Sequence, residues 1–503
     1  MRGIRSSCLL LCGMGLASCT LGPDYHTPAS QTPSSFFRDS GPATATPVAS
    51  ALPVDVTWWR RLHDPLLNKL VDQVAAANLD VKAATMRLEQ SRAQRGVVAS
   101  DLYPQVDGQA FYNREKESDK GVIALFSGAT SGTTAGGGAA ASGIPSATAS
   151  PAFNLYQYGF DATWELDLWG RVRRNVEAAD AQVQATAEER RDLTLSVMAE
   201  LVRDYVELRG TQADIGILRR NLGAAKELAH ITAEKYRGGF GNDVDVANAQ
   251  AQADAIAAQL TPLEQQQAAL MNAIALLLAE PPGTRDAELT PVQPLPVTRD
   301  PVPVGIPSAL IARRPDIREA DAKLHAATAE IGAAKAEFFP QVTLMGNGAL
   351  QALNLSDLNT WAARTYQFGP SVSIPIFEGG KLSSNLKLTR AEQKEAALDY
   401  EKTVLSAFHD VDNALTAYRS AAKQHAQLAA AWKQNRQALG LAEERYQKGL
   451  SDYLEVLTAE RTALATEQQR NESAQSETVS MVQLSKALGG GWEQVFPPST
   501  PQK

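Results

Sequence analysis

The sequence contains two copies of one pattern, and this duplication restricts the possible folds more than any other feature. The stretch Leu102 to Val106 returns as Phe338 to Val342, with Pro104 and Pro340 lying 236 residues apart. Further on, Gly170 returns as Gly380, 210 residues later, and this offset persists without a gap. The two offsets differ by 26 residues, so the first copy carries an insertion.

Each copy changes from a helical to an alternating pattern after its Pro-Gln-Val junction. From Tyr156 to Leu168, aromatic and aliphatic residues alternate with polar ones, which is typical of a strand with two different faces. Strands of about 9–11 residues cross a bilayer when tilted. An antiparallel sheet that covers a soluble core would show the same alternation. The insertion, rich in Gly, Ala, Ser and Thr, predicts a flexible surface loop over residues 116–154.

Long helical segments follow the two matched glycines and reach Tyr236 in the first copy. A helix of about 66 residues would be about 100 Å long. In the second copy apolar residues at steps of three and four predict a narrow coiled-coil-like seam, so that these helices must pack side by side. The predicted seam consists of Leu405, Phe408, Val411, Leu415 and Tyr418. A Gly-containing turn and a second helix complete a hairpin in each copy.

These patterns divide the chain into six segments with about four strands in total. Because an open sheet edge is not tolerated in a membrane, such a sheet would need strands from other chains. The segments are a signal peptide (1–18), an irregular lipidated segment (19–60), a first repeat (61–280, strands at about 104–115 and 155–168), a Pro-rich linker (281–305), a second repeat (306–491, strands at about 340–350 and 365–377) and a tail (492–503).

The N-terminus has the pattern of an export signal. Arg2 and Arg5 precede a short apolar stretch, and Leu16-Ala17-Ser18-Cys19 follows. The apolar stretch is too short to span a bilayer. The last four residues resemble the lipobox of bacterial lipoproteins, in which the Cys is acylated; an ordinary secretory signal that contains a Cys is the alternative. Cleavage before Cys19 would leave one cysteine, so neither a disulfide nor a thiolate metal site is expected.

The remaining composition argues against several classes of function. The net charge is −8 and no basic cluster is present, which argues against nucleic acid as a partner. The six histidines are scattered without metal-ligand spacing, and no catalytic constellation is evident. Gly238 to Gly241 follows a helix rather than a strand, so it predicts a turn and not a phosphate-binding loop. We therefore expect no enzyme activity, cofactor or metal.

Taken together, the motifs resemble the OprM/NodT-type members of the TolC family of outer-membrane efflux channels. The motifs are the run Ser18 to Tyr25, Ile306-Pro307-Ser308 with Arg314-Pro315-Asp316-Ile317, the paired Pro-Gln-Val junctions, and Arg445 to Gly449 continuing to Leu457. The resemblance implies a mainly α fold with a membrane β-barrel. Duplicated helix-strand-strand-helix repeats from a homotrimer would form a barrel of about 12 strands and a long α-helical periplasmic tunnel.

The resemblance also implies a function and partners. The chain would be the outer-membrane channel of a tripartite efflux pump, lipid-anchored at Cys19. It would pass drugs, toxic compounds or metals from the periplasm to the exterior. Its partners would be a periplasmic membrane-fusion adaptor, an inner-membrane RND-type transporter and outer-membrane lipid. The alternatives are a TolC-like channel of a secretion system and, in another class, a periplasmic coiled-coil scaffold without a pore.

Aperture residues follow from the same resemblance, because the family tunnel is closed near its two helix turns. The matching positions are Asp245, Tyr446, Leu454, Glu455 and Thr458. Thr458 is neutral where some members carry a second acid, so electrostatic closure would be weaker. In a second interpretation, Asp245 and Glu455 are ordinary acids at helix starts, which the helix dipole stabilises. The hairpin tips, Tyr236 to Asp245 and Tyr446 to Glu455, are also the expected adaptor-docking surface.

Overall fold

The computed structural model describes residues 20–29, 49–50, 54–116, 152–298, 302–305 and 307–496. The predicted signal peptide, Cys19, nearly all of the predicted surface loop and residues 497–503 of the tail lie outside these ranges. Among the described residues, every helix is too short or too polar to cross a lipid bilayer.

The helices confirm the duplication, since three pairs of helices have the same length in both copies. The first copy contains α1 (Pro65–Ala77), α2 (Leu79–Ser100), α3 (Arg171–Arg237) and α4 (Asp243–Leu277). The short helix α5 (Asp286–Leu289) follows, and the second copy contains α6 (Pro307–Arg313), α7 (Pro315–Ala336), α8 (Lys381–Gln447) and α9 (Tyr453–Ala487). Both α2 and α7 have 22 residues, α3 and α8 have 67, and α4 and α9 have 35.

Four strands form one antiparallel sheet in chain order. They are β1 (Gln105–Glu115), β2 (Phe153–Leu166), β3 (Gln341–Ala352) and β4 (Arg364–Ser373). The prediction that the last strand reaches 377 was wrong, and β2 begins inside the predicted loop. Pro370 is tolerated opposite Leu344 because β4 is an edge strand with one neighbour, and Pro375 removes another ladder donor just beyond the strand's end.

The register of the sheet gives it one apolar and one polar face, as the alternation predicts. Phe160 lies opposite Gly108 and Gly348, and Trp164 lies opposite Leu344. Residues in register therefore share a face across all four strands. The apolar face includes Val106, Ala110, Tyr112, Tyr156, Tyr158, Phe160, Trp164, Leu166, Val342, Leu344, Leu350, Tyr366, Phe368 and Val372. Phe160 and Phe368 are 68% and 81% exposed, so within one chain nothing in the described ranges covers this face.

The chain divides into two compact units. One consists of Met1–Tyr25, Gln94–Ala179 and Ala327–Ala391 and contains the sheet. The other consists of His26–Ala93, Asp180–Ala326 and Glu392–Lys503 and contains most of the long helices. Its core includes a cluster of Leu218, Ile256 and Leu464 from three different helices.

The seam of α8 differs from the prediction. Val411, Leu415 and Tyr418 are buried, but Leu405 is 53% exposed. The buried face instead runs through Tyr400, Val404 and Ala407. Each residue turns about 100° around a helix, so position 405 points away from the face that 404 and 407 share.

The predicted linker and tail each contain a short helical segment. Helix α5 lies inside the linker, and the fully buried Arg209 donates hydrogen bonds to the carbonyl oxygens of Leu289 and Pro291 at 3.2 and 2.8 Å. At the start of the tail, Trp492 is buried in a short 3-10 helix (Trp492–Gln494).

Candidate functional site

The two helix-hairpin tips have the same backbone geometry. After α3, Gly239 has φ +81°, and its N–H donates to the carbonyl oxygen of Tyr236 at 3.0 Å, while Phe240 N–H donates to Lys235 at 2.9 Å. After α8, Gly449 (φ +71°) donates to Tyr446 and Leu450 donates to Arg445 in the same way, at 3.0 and 2.8 Å. This is the Schellman helix end, which requires a left-handed residue that glycine supplies without strain.

The helices that leave the tips are capped by matching residues. The side chain of Asn242 accepts a hydrogen bond from the backbone N–H of Asp245 at 2.8 Å, and that of Asp452 accepts one from Glu455 at 3.2 Å. Asp245 and Glu455 therefore occupy the first turns of α4 and α9, where the helix dipole stabilises a carboxylate. Glu455 also faces Arg445, with 3.6 Å between its Oε1 and the guanidinium.

Three of the predicted aperture residues lie together. Leu454, Glu455 and Thr458 line a groove of about 520 Å³ between α8 and α9, which Asn435 of α8 also lines. The hydroxyl of Thr458 donates to the carbonyl oxygen of Leu454 at 2.8 Å, so it is engaged within its own helix. The groove thus has one exposed leucine, the two carboxylates of Asp452 and Glu455, and the polar side chains of an asparagine and two threonines.

Tyr446 lies elsewhere and joins the two hairpins. The amino group of Lys235 in α3 is 3.6 Å from the centre of the Tyr446 ring, which is a cation–π contact. The ring also packs against a small apolar cluster that contains Ala249 of α4 and Leu457 of α9. Asp245 does not line the groove. The structure therefore places Leu454, Glu455 and Thr458 in the groove, Tyr446 between the two hairpins, and Asp245 at the start of α4.

The matching family model covers both repeats. The model described as "Outer membrane efflux protein" matches residues 70–280 and 306–490, which contain both hairpins and all four strands of the sheet. The chain belongs to this family. Its paired hairpins and its sheet are therefore those of an outer-membrane efflux protein.

Known relatives extend over almost the whole chain. The toluene efflux pump outer membrane protein TtgC of Pseudomonas putida is 30% identical over 482 residues, 95% of this chain and 93% of that protein. The cation efflux system protein CusC of Escherichia coli is 28% identical over 493 residues, 97% of this chain and 100% of that protein. The solved structure of the outer-membrane channel OprN has 33% identity and a TM-score of 0.83, covering 94% of this chain and all of that one.

A buried carboxylate near the second tip of this outer-membrane efflux protein was missed in the sequence. Glu460 of α9 is only 6% exposed, and both carboxylate oxygens lack a hydrogen-bond partner among the described residues. Burial is the main reason why its pKa is raised, and the nearby Glu443 adds to the effect. Its spacing from Leu457 and Leu464, by three and four residues, was a signal that it shares their buried face.

The described N-terminal residues are held against the unit that contains the sheet. The buried Arg174 at the start of α3 donates to the carbonyl oxygen of Leu21 at 3.1 Å and to the carboxylate of Asp24 at 2.7 Å. Gly22 passes so close to Gly332 that a Cβ on Gly22 would lie 2.4 Å from its Cα. Thr20, the residue after the predicted lipidation site, is thereby fixed beside the start of α3.

Metal or catalytic chemistry finds no support at the tips. Within the ranges that the structure describes, no three His, Cys, Asp or Glu side chains are grouped as metal ligands would be. The side chains at the tips instead form ion pairs, a cation–π contact and helix caps. Such contacts can hold the helices together, or allow them to separate when the contacts break. The charged side chains can also interact with a solute.

Proposed function

We propose that this outer-membrane efflux channel is the outer component of a tripartite pump, working with a periplasmic membrane-fusion adaptor and an inner-membrane RND-type transporter. It passes small molecules from the periplasm to the exterior. The observation that carries the proposal is the combination, in one chain, of a sheet with an exposed apolar face and two long helix hairpins with matched tips. TtgC and CusC, which are both named for efflux, and OprN, which is named as an outer-membrane channel, support it.

Self-association follows from the edges of the sheet. β1 and β4 each have one neighbour, so within the described chain both outer edges lack a partner strand. A membrane does not tolerate such edges. Three copies placed edge to edge would close a barrel of about 12 strands, with the aromatic face towards lipid and the polar face towards water. The open edges imply self-association, and the number of copies follows from the resemblance to the TolC family, so we propose a homotrimer.

The proposed aperture lies at the hairpin tips. In a trimer, three copies of Glu455 and three of Asp245 would form rings of acids, and such rings favour cations at a pore mouth. Leu454 and Thr458 would narrow the passage beside them, and Tyr446 would tie the two hairpins through Lys235. TtgC and CusC, similar in sequence to this chain to about the same degree, are named for toluene and for cations. We infer that the channel leaves the choice of cargo to the pump.

Lipid attachment at Cys19 completes the proposal. The fixed position of Thr20 would place an acyl chain on the preceding residue next to the unit that carries the apolar sheet. A lipobox cysteine carries more than one acyl chain, which anchors a protein stably, so we propose that the lipid guides assembly and that the sheet provides a second anchorage. This makes Cys19 helpful for efflux rather than essential.

Deleting the gene and complementing it tests the proposal. Susceptibility is compared across drugs, dyes, detergents and metals in the deletion strain, with wild-type, Cys19→Ala and a charge-swapped tip variant (Asp245→Lys with Glu455→Lys) restored separately. We expect hypersensitivity that the wild-type chain rescues, partial rescue by Cys19→Ala, and no rescue by the tip variant although its trimer is present. No change across the panel, with trimer in the outer membrane, would refute a role in efflux and favour secretion.

A further inference from the structure

Glu460 is a buried acid that no part of the proposed channel function uses. It lies between Leu457 and Leu464 on the inward face of α9. Leu457 packs with Ala249, and Leu464 packs with Ile256 and Leu218. A carboxylate enclosed among such groups loses its hydration, and the loss is costly unless a partner replaces the water.

The neighbouring charges do not supply that partner. Arg461 is the one cation that acts on the carboxylate, and its guanidinium instead donates to the side-chain oxygen of Gln252 at 2.8 Å. Glu443 of α8 is an acid and raises the cost of a second negative charge. Other charged groups near the two tips are paired elsewhere: Lys235 with Tyr446, Arg445 with Glu455, Lys448 with Glu444 and Arg237 with Glu234.

Two other positions show that the arrangement at Glu460 is unusual within the same helices. Asp214 of α3 is also largely enclosed, but it accepts a 2.7 Å hydrogen bond from the amide of Asn471 in α9. The position that matches Glu460 in the first repeat is Gln250, which is exposed and donates to Asp254 at 3.2 Å. A buried acid without a partner is therefore a feature of the second hairpin.

We propose that Glu460 is a proton-sensitive positioning residue, which holds the tip half of α9 tightly against α3, α4 and α8 when it is neutral and loosens that packing when it is ionised. The tip half of the second hairpin then loosens as the periplasmic pH rises. That the loosened hairpin favours an open aperture rests on the proposed channel function; the change in packing does not.

The direction of the effect follows from proton linkage. Packing raises the pKa of Glu460 above its usual value, so the packed state binds the proton more firmly than the loosened state does. Packing is therefore strongest at a pH below the ordinary carboxylate pKa. It weakens as the pH rises from there through the raised pKa, and it stays weak at higher pH.

Hydrogen exchange of the full-length trimer in detergent measures this packing directly. Wild type is compared with Glu460→Gln, which keeps the size and removes the charge, and with Glu460→Leu in case the amide perturbs folding. Gln250→Glu is the matched control, because it adds an acid at the equivalent exposed position. Amide exchange in the first half of α9, corrected for the intrinsic effect of pH, is followed from below the ordinary carboxylate pKa of about 4.3 up to neutral pH.

We expect protection of the first half of α9 to fall several-fold with rising pH in wild type and in Gln250→Glu, and to stay high in both Glu460 variants. A wild-type pH profile in Glu460→Gln and Glu460→Leu would overturn the proposal. Single-channel recording tests the link to the aperture separately from the change in packing. If exchange follows the expectation but the open probability of wild type and Glu460→Gln has the same pH dependence, the link to the aperture is refuted while the proton-sensitive packing stands.

Discussion

Replacing Gly449 by alanine tests whether backbone conformation alone fixes the tip turns. Gly449 has φ +71°, in the left-handed region, and a Cβ added there would meet nothing within 4 Å. The substitution therefore creates no clash, and its whole cost is conformational. For an L-residue in this region that cost is about 1–2 kcal/mol.

Gly440 provides the matched control, because the chemical change is the same and the backbone differs. It lies inside α8, and a Cβ there would also meet nothing within 4 Å. Alanine in a helix interior is about 0.5–1 kcal/mol more stable than glycine. We therefore expect opposite signs from one substitution at positions nine residues apart, with a difference of about 2 kcal/mol between the two variants.

Local opening of the tip is the quantity to measure, since global unfolding of a trimer mixes many contributions. A change of about 1.4 kcal/mol alters an opening equilibrium tenfold. Amide exchange near residue 449 should therefore become about tenfold faster in Gly449→Ala. In Gly440→Ala exchange of the same amides should be unchanged or slower. Equal effects of the two substitutions, or no effect of Gly449→Ala, would show that the tip turn is not held by its backbone conformation.

Three further predictions concern contacts within one unit. Burial raises the pKa of Asp214 from 3.8 to about 6, so its contribution to the free energy of unfolding is largest below about pH 4 and is lost as the pH rises through about 6. Asp214→Asn should flatten this part of the curve of unfolding free energy against pH. Arg174→Met removes the donors to Leu21 and should cost about 1–3 kcal/mol, seen as faster proteolysis of residues 20–29. Gly159→Val would place a Cβ 2.4 Å from that of Ala349 and should reduce the heat-modifiable trimer in outer-membrane fractions, whereas an unchanged trimer level would contradict the pairing of β2 with β3.

The duplication made most of the fold predictable from the sequence. Two constant offsets paired each helix with its counterpart, and alternation assigned both faces of the sheet, because these features depend on local spacing. Strand ends were less predictable. β4 stops at Ser373 although the apolar residues Ile374 and Ile376 follow, since pairing depends on donors as well as on apolar pattern.

The contacts of the candidate site were not predictable in the same way. The motif placed Tyr446 at the second tip, but only tertiary packing brings Lys235 of the first hairpin over its ring. Glu460 stands in a stretch of mixed polarity, where a solvated acid is the ordinary expectation. Its burial follows from the helices that surround α9, and their arrangement is not encoded in the spacing of α9 alone.

The two tips have the same glycine-containing backbone turns but differ in the side chains that they bury. Gly239 and Gly449 end their helices identically, which preserves the direction of the chain through each turn. At the position of the buried Glu460, the first repeat has the exposed Gln250. At this position the second hairpin has an unpartnered acid whose protonation affects the packing of its tip half, and the first hairpin has none. We therefore expect motion at the aperture to begin in the second hairpin, with the first acting as the fixed wall against which α8 and α9 rearrange.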